Sequence, residues 1–253
     1  MISSVKKALE LLKIFSTDQP ELSLTEISKR MDLHKSSVFR ILNTLESSGF
    51  IEKDPLTKKY RLGLELLNLA NKVLNRYDLR NQAGPYLEKL ARKTGEIIHL
   101  SILDGDEMVY LEKKGQGQVL TVATQVGGRN PAYASAMGKM LLSDLSRREL
   151  KELFGEGHLK KLTTNTITEI PKLLEELERV RRQGFALDDE ETFPGIRCVA
   201  APIQDRNGKT VAAISVTVPK QRMGKQRIKE ICQWVIETAR LISERSMGWE
   251  TLV

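Results

Sequence analysis

Five side chains within nine positions, Lys35, Ser36, Ser37, Arg40 and Asn43, set two cations among small hydrogen-bonding groups at spacings that one helix face would share. Small polar residues let a helix approach a groove floor closely, and cations suit phosphates, so the chemistry indicated is binding of double-stranded DNA. Arg40 is able to grip a guanine edge bidentately or to neutralise a phosphate, and both roles stay open, whereas Ser36 and Ser37 suit phosphates or bridging waters. A second set, Cys198, His99 and Asp188, supplies the residue types of a cysteine-nucleophile triad. Against that reading, Cys198 precedes Val199-Ala200-Ala201 in a strand-like run, not at a helix N-terminus or sharp elbow that would lower its pKa. His34, His99 and His158 lack metal-ligand spacing, with His99 in an apolar run that suits a core or pocket residue, and Cys198 and Cys232 form neither a CxxC pair nor a disulfide framework. The expectation is no metal site, no cofactor and no enzymatic activity.

The elements that would position the basic face can be read around it. Ser23-Leu24-Thr25-Glu26 has the pattern of a reciprocal capping box, which predicts a helix start, and Leu24, Ile27 and Met31 then fall on one face. The chain breaks at Asp32-Leu33-His34, and a second helix is predicted over 35–48 with Val38, Ile41, Leu42 and Leu45 inward and Gly49 as a left-handed stop. Two short strands follow over 51–54 and 58–62, joined at Pro55-Leu56-Thr57, and they carry a cationic tip of Lys58, Lys59 and Arg61. Together these make a winged helix-turn-helix. The competing reading, a module that docks another protein, would lack the steep salt dependence of phosphate binding.

The 253 residues carry a formal net charge of +7 and a sequence pI near 9.3, compatible with nucleic acid as partner. From Met1 to Tyr77, 13 cationic residues stand against 9 acidic ones, a net +4; the remainder has 27 against 24, a net +3. No leader pattern and no apolar run of about 18 residues is present, so no membrane association and a cytoplasmic location are expected. Val5, Ala8, Leu9, Leu12 and Phe15 in a first helix, and Leu64, Leu66, Leu67, Leu69, Ala70, Val73 and Leu74 after the wing, are more apolar than one small module can bury. These two helices predict a homodimer, which would present two recognition helices to an inverted-repeat operator with half-sites about one helical turn apart.

The predicted organisation is a DNA-binding domain over 1–62, a linker helix over 63–78 and an α+β domain over 79–253. In the last, helices are expected over 79–94, 135–142, 147–154, 169–183 and 225–245, and strands over 97–103, 108–112, 119–123, 198–204 and 210–218. Asp104-Gly105-Asp106 is a hairpin turn, and Val126-Gly127-Gly128-Arg129-Asn130-Pro131 is expected to form no regular element. That irregular run delivers the chain into Ala134-Ser135-Ala136-Met137-Gly138, a helix start whose free amides at Ala136 and Met137 would attract an anion.

Several separated motifs carry a resemblance over essentially the full length. They are Leu33-His34-Lys35-Ser36-Ser37-Val38-Phe39-Arg40, Tyr60-Arg61-Leu62-Gly63, Thr94-Gly95-Glu96 with His99-Leu100, Ala134-Ser135-Ala136-Met137-Gly138-Lys139, Asn165-Thr166-Ile167-Thr168, Asp188-Asp189-Glu190-Glu191, and Gly195-Ile196-Arg197-Cys198-Val199-Ala200-Ala201-Pro202. The chain resembles transcription regulators of the IclR family. The resemblance implies a dimer that commonly pairs into a tetramer, repression as the usual outcome, and a GAF-like effector-binding domain holding a small organic acid. It also implies that Asp188, Cys198, Ser215 and Thr217 line the acid's pocket with Ala136 and Met137, and Ser215 and Thr217 would point the same way from one strand. Met137 departs from the small residues common at that position. Arg129-Asn130-Pro131 with Tyr133, and Met247-Gly248-Trp249, are more similar to the sugar-acid branch answering 2-keto-3-deoxygluconate than to the glyoxylate-sensing branch.

Overall fold

Helix α1 (Ser3–Lys13) buries Leu11, and the chain then reaches the capping box that starts α2 (Leu24–Met31). There the Glu26 amide donates to Ser23 Oγ at 3.3 Å while the Ser23 amide donates to the Glu26 carboxylate at 2.8 Å, so two amides that the first turn would orphan are paired. Asp32 turns left-handed at φ 50°, which ends α2 and leads into α3 (Lys35–Ser47). Gly49 takes φ 75° at the end of α3, and the Phe50 amide donates to the Leu45 carbonyl.

Strands β1 (Ile51–Lys53) and β2 (Tyr60–Leu62) pair antiparallel, with Ile51 opposite Leu62. Asp54 Oδ1 accepts the amides of Leu56 and Thr57, which folds the tip, and Leu22 bridges to Tyr60 as a third short pairing. Gly63 cannot be replaced cheaply, since a Cβ there would lie 2.2 Å from the Gly49 carbonyl oxygen. Leu11, Leu22, Ile27, Val38, Leu42, Ile51 and Tyr60 close one core. Helix α4 (Glu65–Leu74) follows and buries none of its residues.

The computed structural model describes residues 2–75, 78–115, 124–155 and 157–245, and the chain divides into two units, Met1–Arg76 and Tyr77–Val253. The second unit begins with α5 (Asp78–Thr94), ended by Gly95 at φ 72°. Then come β3 (Ile97–Asp104), β4 (Glu107–Lys114), β5 (Arg129–Pro131), a 3-10 turn at Ala132–Ala134, α6 (Ala136–Leu142), α7 (Arg147–Phe154) and α8 (Ile170–Gln183). Strands β6 (Ala186–Asp189), β7 (Ile196–Gln204) and β8 (Thr210–Pro219) precede the closing α9 (Lys225–Arg245).

The sheet runs β5-β4-β3-β8-β7-β6, antiparallel throughout. Alternation along the strands sends Ile98, Leu100, Val199, Ala201, Ile214 and Val216 to one face, into the core that also holds α5 and α9 residues. The opposite face carries Ala186, Ala200 and Ala213 against Ala136, Met137, Met140 and Leu141 of α6. This is an α+β fold with a separate helix-turn-helix unit.

Two expectations need correcting and one lies elsewhere. Residues 129–131 do form a strand, because β4 offers an open edge and an outermost strand tolerates Pro131, which has no N–H to donate. Strand β6 was not anticipated, being only four residues long on the other edge. The strand expected over 119–123, and Met247-Gly248-Trp249, lie outside the described residues.

Candidate functional site

On the first unit, α3 exposes Lys35, Ser36, Ser37, Arg40 and Asn43 together, while Val38 and Leu42 are fully buried on the opposite side. The side chains of Lys35, Arg40 and Lys58 make no hydrogen bond or ion pair among the described residues, so their charge is directed to solvent. Lys58 adopts φ 59° at the tip of the wing, and Lys59 beside it is exposed. Arg61 differs: its guanidinium is 3.0 Å from Glu52 and 3.7 Å from Glu21, so part of its charge is already compensated. The sequence reading missed Phe39, 41% exposed on the same helix, with Lys53 Nζ 6.0 Å from its ring. It also missed Ser4 and Lys7 of α1, which line one groove with Ser37 and Arg40.

In the second unit, Ala136, Met137, Asp188, Cys198, Ser215 and Thr217 surround a single internal space. Register explains this: Asp188 is opposite Cys198 across β6 and β7, and Cys198 is opposite Thr217 across β7 and β8, so the three share a row on the α6 side of the sheet. Ser215 stands two residues along β8 from Thr217, on the same face, 1% exposed and without a hydrogen-bond partner among the described residues. Tyr110, Asn130 and Thr192 also line the space, and the Asn130 amide donates to Tyr110 Oη at 3.0 Å.

The space measures about 20 Å³, room for a water molecule rather than an organic acid. Two methionines contract it. Met137 Sδ accepts from Ser101 Oγ at 3.2 Å, and Met108 Sδ lies 3.1 Å from Ser135 Oγ, the hydroxyl that accepts the Gly138 amide at 3.0 Å. Thioether side chains repack readily, so the lining can open around a ligand without moving the sheet. Helix α6 spans only seven residues and Ser135 already caps it, so its macrodipole is a smaller attraction for anions than the sequence reading assumed.

The triad chemistry fails on geometry and on charge. Thr217 Oγ1 stands between the two partners, 3.4 Å from Cys198 Sγ and 3.3 Å from His99 Nδ1. Burial pushes the Cys198 thiol well above its ordinary range, with Asp188 adding to the rise, and burial pushes His99 down to about 3, with Lys113 adding to the fall. Both shifts oppose a thiolate–imidazolium pair.

Comparison with known proteins agrees with this architecture. Residues 4–55 match the IclR helix-turn-helix domain, and residues 71–244 match the C-terminal domain of the bacterial transcriptional regulator IclR. The HTH-type transcriptional regulator XynR of Escherichia coli is 36% identical over 250 residues, covering 98% of each chain. KdgR of the same organism is 36% identical over 248 residues, covering 98% of this chain and 94% of its own. The crystal structure of Thermotoga maritima IclR superposes with a TM-score of 0.81 at 32% identity, covering 98% of this chain and 100% of that one.

Proposed function

Because this chain belongs to the IclR family of bacterial transcriptional regulators, we propose that α3 and the wing bind an inverted-repeat operator and that a small organic acid in the second unit controls that binding. The chain is a regulator and not an enzyme, as its relatives are. The observation that carries the proposal is the pairing of an uncompensated cationic helix face with a cavity lined by polar side chains, one of them the unpartnered Ser215 hydroxyl.

Lys35, Ser36, Ser37, Arg40, Asn43, Lys58, Lys59 and Arg61 are assigned to DNA, with Lys35 and Lys58 on phosphates. Ala136, Met137, Asp188, Cys198, Ser215 and Thr217 are assigned to the acid, whose keto or hydroxyl oxygens the two hydroxyls would meet. A sugar acid suits this set, in keeping with the resemblance of the Arg129-Asn130-Pro131 segment. The domains run over 1–62, 63–78 and 79–253, in the cytoplasm; among the described residues, no helix is long and apolar enough to cross a membrane. Val5 and Leu9 of α1, 53% and 56% exposed, and Leu64 beside α4, 74% exposed, support a homodimer through these helices, with a tetramer as a further association.

The acid acts by binding one arrangement of the dimer better than another, since a ligand shifts an equilibrium only through differential affinity. Repression relieved or reinforced by the acid is the expected outcome. A thermal-shift screen of sugar acids and short keto acids tests the pocket. At a hundredfold excess over Kd a true effector stabilises by about 2.7 kcal/mol, which is a shift of about 5 °C or more for a unit of this size, and Ser215→Ala with Thr217→Val should abolish it. No shift with any acid, or a shift indifferent to both substitutions, overturns the assignment.

A further inference from the structure

The cavity assigned to the acid is lined by one carboxylate, Asp188, and by no Lys, Arg or His among the described residues. The eight residues from Gln116 to Ala123, which lie outside the description, contain no charged side chain either. An organic anion entering here would therefore face Asp188, itself 3% exposed, with no cation in the described lining. Two ammonium groups stand close by and both are engaged: Lys113 Nζ donates to Thr124 Oγ1 of the cavity wall at 3.1 Å, and Lys139 Nζ is 2.6 Å from Glu191, 3.4 Å from Glu176 and 2.5 Å from the Leu187 carbonyl. Two buried carboxylates already share Lys139 before Asp188 or any ligand is counted.

The surroundings of Asp188 have a place for a proton. Thr192 Oγ1 lies 2.9 Å from the Ala134 carbonyl oxygen and 2.9 Å from Asp188 Oδ2. A hydroxyl has one hydrogen and can also accept, so Thr192 serves either state: its hydrogen can turn to an ionised Oδ2, or it can go to Ala134 while Thr192 Oγ1 accepts from a protonated Oδ2. Oδ1 still accepts the Glu191 amide at 2.6 Å.

We propose that the acid enters this pocket together with one proton from solvent, so that Asp188 is a neutral carboxylic acid in the effector complex. The inference rests on the acid reading above. Asp188 then presents no like charge to the ligand. Lys139 on α6 faces Asp188 with the Glu191 and Glu176 carboxylates, of which Glu191 is also raised by burial, and Lys113 on β4 stands at the Thr124 side of the cavity; Cys198 on β7, Tyr110 on β4 and His99 on β3 are held neutral by burial. Burial already raises the Asp188 pKa in the empty pocket, against the opposing pull of Lys139 and its hydrogen bonds, and a ligand carboxylate raises it further.

The sign follows from linkage. The complex holds more protons than the free protein between the two Asp188 pKa values, so affinity is full below the free value and is lost as pH rises above it, by about tenfold per pH unit. The test is calorimetric titration of the full chain with 2-keto-3-deoxygluconate, D-gluconate and pyruvate, from pH 5 to pH 9, in buffers of differing ionisation enthalpy. The expected result is an association constant that falls with pH, proton uptake approaching one per bound acid at the alkaline end, and loss of both in Asp188→Asn. The asparagine amide donates to Thr192 as the protonated carboxyl would, which favours folding of that variant; the wild-type profile decides the matter should it fail to fold. Glu191→Gln is expected to keep the slope. Binding with a flat wild-type profile, or a slope retained by Asp188→Asn, overturns the inference alone. Failure of all three acids to bind removes the acid reading and this inference with it.

Discussion

Replacing Lys139 with methionine removes, among the described residues, the only cation that Glu191 touches in the second unit. Lys139 is 1% exposed, and its ammonium serves two carboxylates and the Leu187 carbonyl, so the substitution keeps apolar volume while stranding buried negative charge. Glu176 retains Arg179 at the surface, whereas among the described residues Glu191 retains no cation and its Oε2 already lacks a partner. Breaking one side of a buried pair costs about 3–5 kcal/mol. For a unit of this size that is a fall in Tm of about 6–20 °C.

The penalty carries a pH signature. Glu191 is already raised by burial with Lys139 opposing, so losing Lys139 raises it further, and the folded state then binds more protons than the unfolded one. Stability of Lys139→Met is therefore greatest below the unfolded Glu191 pKa and declines as pH rises through the folded value, which makes the deficit larger at pH 8 than at pH 5. Adding Glu191→Gln should restore part of the loss. Calorimetry or thermal circular dichroism at both pH values measures it. A Tm within about 2 °C of the parent at pH 8, or a deficit the same at both pH values, refutes the reasoning.

Other outcomes follow from the same geometry. Lys35→Ala and Lys58→Ala should each lower the slope of log affinity against log salt by about one, read by operator titration between low and physiological salt. Arg40→Ala should flatten base preference at one operator position if the guanidinium reads a guanine edge; an equal loss on every duplex makes it a phosphate contact. Leu9→Glu should shift the sedimentation equilibrium toward monomer, because it charges an apolar face that α1 leaves uncovered. Gly138→Ala should cost about 3 kcal/mol or more in urea unfolding, since its Cβ would lie 2.1 Å from the Ala132 carbonyl oxygen and 2.4 Å from Ala132 Cα, backbone atoms that cannot swing aside.

Much of the fold was legible because its signals are local. The Ser23–Glu26 box, the left-handed stop at Gly49, the hairpin at Gly105 and the full extent of α7 and α9 depend on neighbours in sequence. Strand β5 was not legible: Arg-Asn-Pro has no apolar alternation, and its place is set by pairing with β4 and by Arg129 reaching Asp104 and Glu107. Strand β6 is too short for a period-2 pattern to register.

The pocket divides in the same way. Alternation along β8 was enough to put Ser215 and Thr217 on one face, but bringing Asp188 and Cys198 beside them required the resemblance, because strand register is a tertiary property. Thr192 and Asn130 were missed since they sit on a turn and on the unforeseen strand. Alternation along β4 pairs Met108 with Tyr110 and was a signal available for both. The Lys139–Glu191 pair spans 52 positions, and no pattern along the chain announces it.

Regulation by an acid requires coupling between the polar cavity and the cationic helix. The direct measurement is fluorescence anisotropy of a duplex selected by this protein from random sequence, titrated with and without a saturating acid from the thermal screen. A change of about 5–150-fold in operator affinity, corresponding to a coupling of about 1–3 kcal/mol, is predicted. The same affinity with and without the acid, or no duplex binding at low salt, contradicts it.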